Sequence, residues 1–129
     1  MNVAALTTAN GKRDILTALN VLVRWNVYLF KTRHLPPLYE AGIRYCRESD
    51  KTCDPHPNYP PVERWQMADV LNMTKRGDCE DLCLYRVGWL RAHGEHARFR
   101  LTRRERIWHV SIFRANGQIE DPSARLGMR

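Results

Sequence analysis

At Gly94 the hydrophobic period of the chain changes, and this confines the fold to a helix followed directly by strands. Asp78 has the character of a helix N-cap, with Asp81 three residues on able to bond back to the first turn, and Gly94 stands where a helix stops. The spacing predicts a helix from Cys79 to His93. Beyond Gly94, Ala97, Phe99 and Leu101 alternate with Arg98, Arg100 and Thr102, and Ile107 to Phe113 is rich in β-branched and aromatic types. Both segments read as strands. Asn116-Gly117 predicts a tight hairpin between Phe113 and Ile119, since both central positions of such a turn need positive φ.

Upstream, Ile15, Leu16, Leu19, Leu22, Val23 and Val27 follow the three-and-four spacing of an amphipathic helix over residues 13–32, ended by Pro36-Pro37. Residues 1–35 thus form an N-terminal helical segment. The run Asp54-Pro55-His56-Pro57-Asn58-Tyr59-Pro60-Pro61 is too rich in proline to be regular. A second, shorter helix is expected from Val62 to Met73, closed by Lys75-Arg76-Gly77. With 129 residues and 43% hydrophobic content, the expectation is a single α+β domain spanning residues 1–129. No apolar run approaches the roughly 20 residues that cross a bilayer, and Met1 to Asn10 lacks the pattern of an export signal.

The formal net charge is +7, and all the basic residues other than Lys12, Lys31, Lys51 and Lys75 are arginines. Arginine presents a two-pronged donor to phosphate and carboxylate, so nucleic acid, an acidic protein surface or a cell-wall polymer is a candidate partner. A solvated surface shaped by composition is the plainer explanation. Cys46, Cys53, Cys79 and Cys83 do not make a disulfide scaffold in a chain of this size. Cys46 and Cys53 could pair or bind metal with His56, but neither the Cys-x6-Cys spacing of Cys46 and Cys53 nor the Cys-x3-Cys spacing of Cys79 and Cys83 is the close Cys-x2-Cys knuckle of structural zinc, and no cofactor or metal is expected.

The chemistry concentrates on Cys79, His109 and Asp121. A thiol attacks as thiolate, and an ordinary cysteine near pKa 8.5 is mostly protonated at neutral pH. Cys79 opens the expected helix, where the helix dipole and unpaired N–H groups favour an anion, while Asp78 and Glu80 work against it. His109 lies mid-strand on the face opposite Trp108 and Val110, and the hairpin returns Asp121 beside it. Taken singly, each has a bland reading: a packed histidine, a strand-ending Asp-Pro. Together they supply a nucleophile, a base and a group to orient the base. Cys83, on the face of Val87 and Leu90, reads as core, and Arg86 within that stripe as the partner of an internal acid. Trp25, Trp65, Trp89 and Trp108 read as core or interface, and Arg98, Arg100, Arg103, Arg104 and Arg106 either as a charged hairpin edge or as a guide for an anionic ligand.

Gly77-Asp78-Cys79-Glu80-Asp81-Leu82, Trp108-His109-Val110 and Glu120-Asp121-Pro122-Ser123 together resemble the transglutaminase-like branch of the papain-like thiol enzymes. The resemblance implies Cys79 as nucleophile, His109 as general base and acid, and Asp121 as orienter, with the nucleophile-bearing helix packed on a small antiparallel sheet. It implies amide or peptide hydrolysis, or acyl transfer, through a thioester on a protein or peptide substrate. Trp65 and Gln66 are candidates for oxyanion donors and Asp78 for site support. Pro36-Pro37-Leu38-Tyr39-Glu40-Ala41-Gly42 and Tyr45 are similar to small phage-encoded members, which implies a place in the host cytoplasm or in a virion. Two alternatives stand beside the enzyme: a structural or assembly component of a phage particle, in contact with other phage proteins and keeping a vestigial or single-use triad, and a nucleic-acid-binding module resting on the arginines alone.

Overall fold

The computed structural model describes residues 9–47 and 65–128. The proline-rich run, Cys53, His56 and the expected helix start at Val62 lie outside the described residues. In chain order the elements are α1 (Ala9–Thr32), a single 3-10 turn (Leu38–Glu40), β1 (Arg44–Tyr45), α2 (Ala68–Thr74), β2 (Arg76–Gly77), α3 (Cys79–Ala92), β3 (Arg98–Arg104), β4 (Ile107–Phe113), β5 (Ile119–Glu120) and α4 (Pro122–Arg125). The architecture is α+β, with a parallel pair β1-β2 and an antiparallel sheet β3-β4-β5.

Helix α3 organises the molecule. One side of it, with Cys79, Cys83, Leu84, Val87 and Leu90, meets Ile15, Leu19 and Val23 of α1 and the inner residues Phe99, Leu101, Val110 and Ile112 of the sheet. Its other side, with Leu82 and Tyr85, packs on Leu29, Leu38, Ile43, Ala68 and Leu71. A helix surrounded by protein buries nearly every residue, and that is why charged Glu80 and Asp81 lie inside as well. The α1–α3 contact is close because Gly88 has no side chain: a Cβ there would stand 2.7 Å from the Cβ of Asn26. Asn26, fully buried, accepts a hydrogen bond from the Ala68 N–H at 2.8 Å and so caps α2 from another helix.

Two expectations need correction. The second helix runs from Ala68 to Thr74, not from Val62, and residues 65–67 are not helical. Met67 at its N-cap has no capping side chain, and the Gln66 N–H is taken by Asp81 at 2.6 Å, so no start signal lies in the local sequence. The hairpin after β4 has positive φ at Gly117 alone, with Gly117 N–H bonded to Arg114 O and Arg114 N–H to Gln118 O. This is a turn with one left-handed glycine rather than two left-handed central residues. Of the two readings of Trp25, core or interface, the structure removes the first: the ring is half-exposed on α1, stacked on Tyr28 at 5.2 Å. The Arg86 partner is found, since its Nε donates to Glu120 at 2.8 Å.

Candidate active site

The start of α3 is held by a reciprocal cap. The Asp78 carboxylate accepts the Asp81 N–H, and the Asp81 carboxylate accepts the Asp78 N–H. β1 lies beside this entrance through the Tyr45↔Gly77 pairing and the Cys46 N–H to Gly77 O bond of 2.7 Å. Cys79 is therefore the first residue of a firmly capped helix, pressed toward the edge of β4, and only 9% exposed. Burial pushes its thiol well above the ordinary range, and the charges of Glu80 and Asp78 push the same way. Glu80 Oε2 lies 3.5 Å from the sulfur. A backbone hydrogen bond from Val110 acts in the opposite direction, favouring the thiolate.

Val110 follows His109, so the chain brings the thiol next to the peptide that carries the imidazole. On β4 the residues Trp108, Val110 and Ile112 face inward, and His109 faces outward opposite Thr102. His109 Nε2 and Asp121 Oδ2 are 2.8 Å apart. Asp121 is also the N-cap of α4, its Oδ1 accepting the Ala124 N–H at 3.4 Å. One carboxylate oxygen fixes the helix and the other fixes the ring. Because an ionised carboxylate only accepts, the neutral ring in this pairing carries its proton on Nε2 and its lone pair on Nδ1. Cys79 and His109 are not joined by a hydrogen bond: among the described residues the partners of the sulfur are Glu80 and the Val110 backbone. His109 and Asp121 are paired, then, on the outward face of the sheet, while the buried Cys79 thiol lies against the Val110 backbone and is held in its protonated form.

The remaining candidates separate cleanly. Gln66 is committed: its Nε2 donates to Arg76 O at 2.8 Å and its Oε1 accepts from Thr74 Oγ1 at 2.6 Å, so it braces the entrance and has no amide left for an oxyanion. Trp65 packs against the core cluster that contains Cys79, and its buried Nε1–H has no hydrogen-bond partner among the described residues. Asp78 serves as cap. The Asp81 carboxyl is raised well above its usual range by burial first and by the Asp78 charge second.

Two residues take a part at the site that sequence reasoning did not assign to them. Burial, with the Asp78 charge acting the same way, raises the Tyr45 hydroxyl beside the entrance to α3; a two-residue strand offers no periodic signal that would assign it a place there. Glu120, beside Asp121, is gripped by Arg86, by Arg114 Nη1 at 2.8 Å and by the Tyr39 hydroxyl, which anchors the strand end that delivers Asp121. Among the described residues no group of three histidine, cysteine or acidic side chains is placed to hold a metal ion, and no helix is long and apolar enough to cross a membrane. No family model, no curated protein and no solved structure matches the chain.

Proposed function

We propose that the protein is a thiol-dependent amide or peptide hydrolase, or acyl transferase, of the transglutaminase-like kind, with Cys79 as nucleophile, His109 as base and Asp121 as orienter. The observation that carries the reading is the His109–Asp121 pair, which leaves Nδ1 as the basic nitrogen on the residue adjoining the Val110 amide at the Cys79 sulfur. Since the thiol rests protonated, proton transfer accompanies attack instead of preceding it. Cys79 Sγ bonds to the acyl carbon as its proton passes to His109 Nδ1. The imidazolium, held by Asp121, then protonates the leaving amine as the carbon–nitrogen bond breaks, giving a thioester. Water or a second amine resolves it, restoring the thiol. The Trp65 indole N–H and the backbone N–H of Cys79, ahead of the Asp81 N–H that the Asp78 cap takes up, are the donors assigned to the oxyanion.

The test uses p-nitrophenyl acetate as a small activated acyl donor, with acetylation of each cysteine followed by mass spectrometry. The expected outcome is acetylation of Cys79 at pH 7 that falls on the order of 10²-fold in His109→Ala. Acetylation of Cys79 that is equally fast in His109→Ala overturns the assignment. A second reading, an assembly component of a phage particle keeping a vestigial triad, is favoured by the burial of Cys79 between Glu80 and Asp78. It takes first place if wild-type Cys79 is not acetylated at all.

A further inference from the structure

The outward face of the sheet carries a feature that the proposed chemistry does not use. In the β3–β4 register, Thr102 pairs with His109, Arg100 with Ser111 and Arg98 with Phe113, so these side chains share the face of the candidate base. Arg98 and Arg100 both lie over the Phe113 ring, with their guanidinium carbons 5.6 Å and 5.9 Å from its centroid. Arg100 is further held by its Nη1 bond of 3.3 Å to the buried hydroxyl of Ser111. Ion pairs are made by Arg33, Arg86, Arg114 and His109, and neither Arg98 nor Arg100 has a carboxylate within reach among the described residues. The Asp121 carboxylate, on the same side, is spent on His109 and the α4 cap.

We infer that Arg98 and Arg100, pre-arranged on Phe113, form a subsite for a carboxylate side chain of an acidic peptide substrate. The inference rests on the thiol-enzyme reading for its substrate and on the sheet geometry for its position. At about 3.3 Å per strand residue, Ser111 and Phe113 stand about 7 Å and 13 Å along β4 from His109, a span of two to four residues of extended peptide. A guanidinium held on an aromatic ring has already lost much of its rotamer freedom and offers a carboxylate two parallel donors. Nucleic acid fits less well, because the ring that would stack a base is already occupied by the two guanidiniums.

The experiment is binding by fluorescence anisotropy to the full-length Cys79→Ala protein. The probe is a fluorescein-labelled, glycine-rich octapeptide with a central glutamine flanked by glutamates, compared with the same peptide carrying glutamines throughout. The expected result is binding of the glutamate peptide about tenfold tighter, with the preference lost when Arg98→Gln or Arg100→Gln is added. Arg98 is exposed, so Arg98→Gln remains informative even if loss of the Ser111 bond unfolds the Arg100 variant. Equal binding of the two peptides, or a preference that survives Arg98→Gln in a protein with unchanged circular dichroism, overturns the subsite. So does an arginine-dependent affinity for octathymidylate greater than that for the acidic peptide. Failure of the p-nitrophenyl acetate assay alongside a glutamate preference lost in Arg98→Gln sinks the thiol-enzyme reading and leaves the subsite standing.

Discussion

Glu120→Gln is the substitution by which the packing argument exposes itself most. Glu120 is 8% exposed and accepts hydrogen bonds from Arg86, Arg114 and Tyr39. Burial alone would raise its carboxyl, but the bonds from Arg86 and Tyr39, with the charge of Arg86 and the bond from Arg114, outweigh burial and hold it below the usual range. The amide keeps the shape and removes the charge, leaving the Arg86 side chain, 12% exposed, without its ion-pair partner. Breaking one side of a buried pair costs about 3–5 kcal/mol. Arg114 retains Glu95, so the lower end applies: about 3 kcal/mol, or a fall in Tm of about 10 °C for a domain of this size. The sign of the pH dependence follows from the depressed carboxyl. The stabilisation is fully present above the unfolded value near 4.3 and is lost as pH falls through the folded value. Glu95, held at about 2 by its hydrogen bond from Arg114, acts with the same sign. Urea denaturation followed by tryptophan fluorescence should therefore give a wild-type advantage of about 3 kcal/mol at pH 7 that shrinks at pH 3.5. A difference below about 1 kcal/mol at pH 7, or one that does not shrink in acid, refutes the reasoning.

Two further outcomes are expected. Gly88→Ala should destabilise by about 1–3 kcal/mol even though alanine is the better helix former, because its Cβ meets Asn26; thermal melting that shows no loss of stability would disprove the close α1–α3 crossing. In the free protein, alkylation of Cys79 by iodoacetamide should still be climbing above pH 9, and Glu80→Gln should shift the profile to lower pH by removing a negative charge 3.5 Å from the sulfur; a wild-type plateau below pH 7 contradicts the electrostatics described for this thiol.

The parts of the fold that were readable along the chain depend on neighbours in sequence. Asp78 and Asp81 are three residues apart and cap the same turn, so the start of α3 was legible, as were β3 from its alternation and β4 from its β-branched and aromatic residues. The start of α2 was not, because its cap is Asn26, whose partner Ala68 is 42 residues away. Arg86 could be read as needing an acid, yet the identity of that acid, 34 residues on, was a matter of packing. Gln66 looked free to face a substrate until Arg76 and Thr74 claimed its amide.

The candidate site divides along the same line. Local order alone placed Cys79 at a helix start, His109 mid-strand and Asp121 past a turn, because helix caps, strand alternation and hairpins are short-range physics. Tertiary structure decided that His109 and Asp121 meet at 2.8 Å, that the sulfur finds the Val110 backbone, and that burial with Glu80 and Asp78 keeps the thiol protonated. Those outcomes depend on what surrounds each group, and the surroundings of α3 are built from both ends of the chain, from Ile15 to Leu126.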